Sequence, residues 1–381
     1  MTQETVSRRE FLRYAFLGFL GLGAKPLFRF LPEQPLREER VKTREELNVE
    51  RTINDTYRLF LGERTIQGKK LPIRVPFGEM NERYSGQSFV MAGKGNPKLL
   101  WENIDRLLTD ADFLDYQNAL SQPGKKLVLF DLPNRSFQVA TDEDEINNLK
   151  SAFRNNLAHP YAVKEDGQLN ETDVYNYLYS QGVGLDCSGF AFNVQRMIAQ
   201  RYGIDLCQEI GNDLGIDPED VPPQIGTDYY NDQKYAEVVD DRICNLRPGD
   251  IILFPSRKRD ASHSAVILSI NFRSGKITYV QNTDWVKDRN LRGPHYSEIL
   301  FDTTNLDKTL YDSSSVWTHE FGAAFESEDC PWAGKTDGFR YRLDQDGGLY
   351  RGKIVRLKKI KELILKKEKQ YYTNLINSRS N

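Results

Sequence analysis

The amino-acid sequence predicts an α+β fold in which one helix packs on an antiparallel sheet. From Phe190 to Ile198, apolar residues recur every three or four positions, which is the spacing of a helix with one buried face. Three strand-like apolar runs follow: IILF, HSAVILSI and KITYVQN. Turn residues such as Ser274-Gly275 separate them. A helix followed by a meander of strands is an α+β arrangement, and we expect a smaller N-terminal α+β unit ahead of it.

The composition is that of a globular protein without a strong overall charge. The chain has 381 residues, of which 39% are hydrophobic and 28% charged, with a formal net charge of -3. Acidic and basic residues are well mixed, so nothing in the charge points to a nucleic-acid partner. The four cysteines fit neither a disulfide-dense scaffold nor a CxxC zinc pattern. We therefore expect no metal and no cofactor.

Residues 1–24 resemble a twin-arginine export signal. Arg8 and Arg9 stand directly before an apolar stretch from Tyr14 to Ala24. That stretch is short of the about 20 apolar residues that a membrane-spanning helix needs. The pattern predicts export to the cell envelope or the extracellular space. A chance Arg-Arg pair before a buried helix is the alternative, and whether the segment is cleaved stays open.

The next two segments are expected to be a linker and a small domain. Residues 25–50 are rich in Pro, Arg and Glu and have little apolar periodicity, which favours a linker. Residues 51–141 combine a helical stretch from Pro97 with the strand-like runs SFVMAG, LVLFDL and SFQVAT. These features predict the N-terminal α+β unit. A further helix is expected from Thr141, and it must end before His159-Pro160.

Cys187 stands at the predicted start of the helix, and three interpretations of it are open. Unpaired amides and the positive end of the helix dipole favour a thiolate there, and Asp186 is a suitable cap. The thiol would then be a nucleophile. A buried structural thiol is the commoner fate of a lone cysteine. A disulfide is the third interpretation. Separately, Cys207 and Cys244 could pair with each other in an oxidising envelope.

A nucleophilic cysteine needs a base, and His263 is the best placed of the four histidines. It opens a strand that is apolar on both faces. If HSAVILSI and KITYVQN form a hairpin, His263 faces residues 281–283, with Gln281 as the first choice. The Gln281 oxygen could then accept a hydrogen bond from the imidazole and orient it. His295 and His319 are expected to be surface or loop residues, with His295 as the substitute for Gln281.

Five segments in this order resemble the NlpC-type cell-wall cysteine peptidases, a branch of the papain-like fold. They are HPY (159–161), GLDCSGF (184–190), LRPGDIILF (246–254), HSAVILS (263–269) and YVQNT (279–283). The resemblance implies a catalytic domain over residues 142–345 that hydrolyses peptidoglycan stem peptides. This sequence departs from the family pattern in a long tract between residues 162 and 184 and in an insertion between residues 207 and 243.

The resemblance also implies roles for individual residues. Cys187 would be the nucleophile, His263 the base and Gln281 the orienting residue. The amide of Cys187 would be an oxyanion donor. The substrate cleft would be lined by Tyr161, Asp186 and Ser188. Two other functions stay open: a catalytically silent wall-binding module, and an amidase or acyltransferase acting on a non-wall substrate.

The segment 346–381 is rich in lysine and is expected to be a basic C-terminal helix. Ile354, Leu357, Ile360 and Ile364 would lie along one side of it. Such a helix, or the N-terminal segment, could contact a membrane surface. The alternative is a helix that docks on its own domain and exposes its charged face to solvent.

Overall fold

The computed structural model describes most of the chain from residue 42 onwards. The described residues are 42–78, 83–84, 87–88, 96–121, 126–131, 136–140, 142–145, 160–164, 169–255, 262–288, 291–321, 336–337 and 352–363. The expected export signal, His159 and Cys330 lie outside them. Tyr161 falls within a described strand, but its side chain lies outside the description. The helix expected from Thr141 is described only at residues 143–145, which are helical.

Runs of helices and runs of strands follow one another along the described chain. The α-helices are α1 (Arg44–Arg58), α2 (Pro97–Leu107), α3 (Ala111–Ser121), α4 (Glu171–Ser180), α5 (Cys187–Arg201), α6 (Leu206–Leu214) and α7 (Thr227–Asn231). The first strands are β1 (Leu61–Ile66), β2 (Lys69–Arg74), β3 (Arg83–Tyr84), β4 (Gln87–Ser88), β5 (Lys126–Asp131), β6 (Ser136–Ala140) and β7 (Pro160–Lys164). The later strands are β8 (Ala236–Val239), β9 (Ile251–Phe254), β10 (His263–Asn271), β11 (Lys276–Thr283), β12 (Gly293–Leu300), β13 (Val316–Trp317) and β14 (Lys353–Leu357).

The later strands form one seven-stranded antiparallel sheet. Its order is β13-β12-β11-β10-β9-β14-β8, and every neighbouring pair is antiparallel. The predicted α+β class and the antiparallel meander are therefore confirmed. Within the predicted hairpin, Ala265 stands opposite Gln281, and a register shift lies between Ile267 and Ser269.

The two faces of this sheet belong to two hydrophobic clusters. Val266, Leu268 and Val280 pack in one cluster with the apolar side of α5. Ala265 and Ile267 point to the other face, in a second cluster. This alternation is the ordinary period of two along a strand. Both sets of side chains are apolar because β10 is covered on both faces.

Buried residues in the described part of the N-terminal region belong to the first cluster. Helix α1 packs on α5, and Ile53 and Phe60 share one cluster with Phe190 of α5. The rings of Phe60 and Phe190 meet edge to face at 5.6 Å between centroids. The apolar side of α1 is therefore buried against the helix that carries Cys187, and the expected small unit at 51–141 stays a prediction.

The expected linker at 25–50 also contains the first turns of a helix. Helix α1 begins at Arg44, inside that segment. Thr43 and Glu46 form a capping box, in which each side chain binds the other's backbone amide. A capping box stabilises a helix start even where the local sequence is highly charged.

The expected C-terminal helix is wrong for residues 353–357, which form strand β14. This strand fills the position between β9 and β8, so the catalytic domain expected at 142–345 does not contain the whole sheet. Ile354 belongs to the second cluster, whereas Val355 and Leu357 belong to the first. The apolar residues therefore follow the period of two, and the pairing available between β9 and β8 overrides the helical spacing.

Residues 358–363 are helical and dock on the chain itself. Lys359 Nζ lies 2.9 Å from Asp213 Oδ2, and Lys361 Nζ lies 3.0 Å from Glu237 Oε2. This part of the basic segment agrees with the docking alternative. No helix in the described ranges is long and apolar enough to cross a membrane.

Candidate active site

Cys187 is the first residue of helix α5, and Asp186 caps that helix as predicted. Asp186 Oδ1 accepts a hydrogen bond from Gly189 N at 2.5 Å. Ser188 Oγ donates to Asp186 Oδ2 at 2.6 Å. The thiol is buried, with 6% of Cys187 exposed. A cysteine in this first turn feels the positive end of the helix dipole, which favours its thiolate form.

Asp186 has an unusual acidity for a capping residue. Burial raises the pKa of its carboxyl to about 6, although the hydrogen bonds from Ser188 and Gly189 oppose that rise. The cap is therefore an anion only above about pH 6. Asp186 and Ser188 are engaged with each other in the cap, and their expected place at a substrate cleft stays a prediction.

The turn before Cys187 is held tightly by two other segments. Leu185 N donates to Pro76 O at 2.9 Å, and Gly78 N donates to Leu185 O at 3.1 Å. A Cβ atom at Gly184 would lie 2.8 Å from Gly78 N, so this position has no room for a side chain. Asn282 Nδ2 of strand β11 also donates to Leu185 O, at 2.6 Å. The nucleophile candidate is thus tied directly to the strand that carries Gln281.

Tyr230 supports the same turn from the other side. It lies in helix α7 and is fully buried, and its hydroxyl donates to Ser188 O at 3.0 Å. Burial, followed by the nearby Asp186, raises the pKa of Tyr230 well above its usual value, so it stays a neutral donor. Sequence reasoning missed this residue because it falls in the insertion at 207–243, where no local pattern indicates a contact 42 residues away.

His263 and Gln281 are in direct contact, as the hairpin predicts. His263 Nε2 lies 2.7 Å from Gln281 Oε1. His263 is 6% exposed and Gln281 is fully buried. The pair is diagonal across the hairpin, because the residue directly opposite Gln281 is Ala265. Phe254 of β9 stacks on the imidazole, with 5.5 Å between ring centroids. This aromatic contact and the hydrogen bond hold the ring in one orientation.

The amide of Gln281 is oriented by partners on its other side. Its Nε2 donates to Ser297 Oγ at 3.0 Å and to Asp337 Oδ2 at 3.4 Å. With the amide nitrogen used in this way, the amide oxygen faces His263 and accepts from it. His263 then carries its proton on Nε2, which makes Nδ1 the nitrogen with a lone pair in the neutral ring.

His295 and His319 are both buried, but His319 lies in a loop, whereas His295 lies in strand β12, which corrects the expectation that His295 is a surface or loop residue. They are 1% and 5% exposed, and their rings are 5.3 Å apart. His295 belongs to β12, directly opposite Gln281, so the sheet covers it. Burial, and then the neighbouring His319, lower the pKa of His295 to about 3. His295 is therefore neutral at physiological pH and is not the residue that orients His263.

The contacts link all three expected catalytic residues into one region. Gln281 binds His263, and its neighbour Asn282 binds the turn that leads into Cys187. The expected distance of roughly 3 to 4 Å between the sulfur and an imidazole nitrogen stays a prediction. In the described part of the chain, no three His, Cys, Asp or Glu residues are grouped so as to hold a metal ion.

The other two cysteines in the described ranges, Cys207 and Cys244, lie in other elements of the fold. Cys207 and Cys244 are free thiols, so the described structure does not contain the disulfide between them that the sequence left open. Burial raises the pKa of the Cys207 thiol, which makes it less reactive than an ordinary cysteine. Cys207 is therefore a suitable reference thiol for experiments on Cys187.

Comparison with known proteins adds no assignment. No protein-family model, no curated protein and no solved structure shows a significant match to this chain.

Proposed function

We propose that this protein is an exported cysteine peptidase of papain-like fold that hydrolyses peptide bonds in peptidoglycan stem peptides. The hydrogen bond between His263 and Gln281 carries the proposal, because it gives a buried imidazole a single orientation and tautomer. Cys187 at the capped start of α5 supplies a matching nucleophile. The family resemblance of the sequence motifs supplies the substrate class.

The proposed reaction proceeds through a thioester. His263 Nδ1 takes the proton of the Cys187 thiol, and the thiolate sulfur attacks the carbonyl carbon of the scissile peptide. The backbone amide of Cys187 donates to the oxyanion that forms. The C–N bond then breaks, and the imidazolium gives its proton to the departing amine. Water activated by His263 attacks the thioester, which releases the acid product and restores the thiol. Gln281 is neutral, so its role is to orient the ring.

Export supports the choice of substrate. The twin-arginine motif at Arg8 and Arg9 would bring a folded enzyme to the compartment that contains peptidoglycan. Two alternatives compete with the proposal: a silent wall-binding module, and an amidase or acyltransferase acting on another substrate. A silent module has no physical need for both a buried, oriented imidazole and a cysteine at a capped helix start, so these two features favour an enzyme.

The decisive experiment is mass spectrometry of purified muropeptides incubated with the protein. The wild type should release peptide fragments that differ from the substrate by one hydrolysed bond. Cys187→Ser should remove this release, because a serine hydroxyl is a far poorer nucleophile near neutral pH. Cys207→Ser is the matched control, since it removes a buried thiol outside the site, and it should keep the activity.

Each alternative has its own outcome in that experiment. Binding of muropeptides without any new fragment would indicate the wall-binding module. Activity that survives Cys187→Ser would contradict the cysteine-peptidase proposal. Transfer of an acyl group to an added amine, with no hydrolysis of muropeptides, would indicate an acyltransferase.

A further inference from the structure

The orientation of Gln281 poses a physical problem, because an amide has two nearly equal-sized ends. Only one orientation presents the oxygen to His263 and stabilises the ring with its proton on Nε2. A rotation of the amide by half a turn would present the NH₂ group instead and would favour the proton on Nδ1. The groups that contact the far end of the amide decide between the two orientations.

Two described side chains contact that far end, and they differ in their chemistry. Ser297 Oγ lies 3.0 Å from the amide nitrogen, but a hydroxyl can either donate or accept, so it does not discriminate. Asp337 Oδ2 lies 3.4 Å from the same nitrogen. An ionised carboxylate only accepts, so it rejects the amide oxygen. Asp337 is therefore the group that selects the orientation.

Asp337 is itself held in place by its own hydrogen bonds and by a contact of the adjacent Thr336. Its backbone amide donates to His319 O at 3.1 Å, and the adjacent Thr336 forms a bridge with Glu320. The hydroxyl of Tyr279 donates to Asp337 Oδ2 at 2.6 Å. Asp337 is fully buried, as is Tyr279. A buried carboxylate in such fixed contacts is an anchor for its neighbours.

We propose that Asp337 is a positioning residue that fixes the amide of Gln281 and, through it, the tautomer of His263. This inference deepens the proposed function and rests on it. Among the contacts above, the one that leads from Asp337 towards His263 is its contact with Gln281. Asp337 acts through Gln281, and it adds a negative charge one hydrogen bond behind a third residue that is itself neutral. In a buried site, that charge also favours the imidazolium form of His263.

The groups around Asp337 leave it as the acceptor of this cluster. Tyr279 is a donor through its hydroxyl. His319 Nδ1 lies 3.0 Å from Asp337 Oδ1, on the side away from Gln281. His295 stacks near His319 but is neutral because burial lowers its pKa to about 3. The carboxylate oxygen that faces Gln281 is thus shared only with Tyr279 among these groups.

Asp337→Asn is the first test, because asparagine has the same shape but can also donate a hydrogen bond. Histidine nitrogen NMR reports the tautomer of His263 without any substrate, and the chain has only four histidines to assign. The wild type should show the proton on Nε2, and the variant a mixture of tautomers. The rate at which iodoacetamide alkylates Cys187 at pH 7 should fall at least about tenfold, because the wrong tautomer no longer accepts the thiol proton and the lost charge of Asp337 no longer favours the imidazolium.

Two further variants keep the test decisive. Ser297→Ala removes the partner that does not discriminate, and we expect the alkylation rate to change less than about threefold. Tyr279→Phe keeps the carboxylate but removes its donor, and it should shift the tautomer in the same direction as Asp337→Asn by a smaller amount. If Asp337→Asn does not fold, Tyr279→Phe carries the test. Unchanged histidine spectra and alkylation profiles in the folded variant would overturn the inference.

The outcome is distinguishable from a failure of the proposed function. If the wild type does not cleave muropeptides, the peptidase proposal fails, whereas the NMR and alkylation results still test Asp337. If it does cleave them, Asp337→Asn should lower kcat and leave KM nearly unchanged, since the residue acts on His263 and not on substrate binding.

Discussion

The two faces of the seven-stranded sheet have opposite chemistry. The face under helix α5 carries aliphatic side chains of β10 and β11, with Val266, Leu268 and Val280 in the main core. The other face combines an apolar cluster with a run of buried polar side chains. These are His263, Gln281, His295, Ser297, His319 and Asp337. The same strands thus contribute stability on one side and polar chemistry on the other, because their side chains alternate.

This difference predicts how the two faces respond to substitution. A truncation on the α5 face leaves a cavity and costs stability. A polar substitution on the other face changes hydrogen bonds and protonation, since buried polar groups depend on their partners.

His263→Ala should lower kcat/KM for muropeptides by about 10⁴-fold, which corresponds to about 5.5 kcal/mol, because the nucleophile loses its base. The free energy of unfolding should change much less than that. Ser264→Ala is the matched control, because Ser264 is the next residue of the same strand and is equally buried. Steady-state kinetics and urea unfolding of both variants check the prediction. A large loss of stability with retained activity in His263→Ala would contradict the view that this face serves the chemistry and not the stability.

Phe190→Ala should lower the free energy of unfolding by about 3–5 kcal/mol, because it leaves a cavity in the main core. Phe190 is fully buried in α5 and contacts the ring of Phe60. The activity of each folded molecule should stay close to that of the wild type. Urea unfolding, together with titration of active sites by a thiol reagent, separates the two quantities. Loss of activity in fully folded protein would show that the α5 face also shapes the chemistry.

His295→Gln should reduce the sensitivity of the fold to acid. The pKa of His295 is about 3 in the folded protein, against a usual value of 6.5, so the unfolded chain binds more protons between those values. The wild type therefore loses stability as the pH falls through this window, by about 3 kcal/mol at pH 4.5 from this group. The variant lacks this contribution. Urea unfolding at pH 7.5 and 4.5 measures it, and parallel losses in both proteins would contradict the burial argument.

Gly184→Ala should destabilise the protein by about 1–3 kcal/mol and slow the alkylation of Cys187, because the added methyl meets the backbone of Gly78. Gly226→Ala is the matched control, since a Cβ there meets no atom within 4 Å. Thermal unfolding and iodoacetamide kinetics compare the two variants. Equal behaviour of both would show that the tight turn before Cys187 is not required.

Short-range patterns predicted the central part of the candidate site. The helix start at Cys187, its cap by Asp186 and the contact between His263 and Gln281 depend on residues that are close in sequence or joined by one hairpin. Alternation along a strand and capping chemistry operate over a few residues, so they are readable without a structure. The predicted hairpin register did not need to be exact, because His263 contacts Gln281 diagonally across the two strands.

Contacts between segments that are distant in sequence could be seen only in the three-dimensional structure. Lys353–Leu357 has a spacing that suits a helix, but the open position between β9 and β8 makes it a strand. Asp337 reaches Gln281 across 56 residues, and Tyr230 reaches Ser188 across 42. No local pattern encodes such contacts, because they follow from how the sheet closes and which groups it buries. The α+β class, the capped start of the helix at Cys187 and the contact between His263 and Gln281 were readable from the sequence. The buried polar network behind them exists because a polar group removed from water must find a partner wherever the fold supplies one.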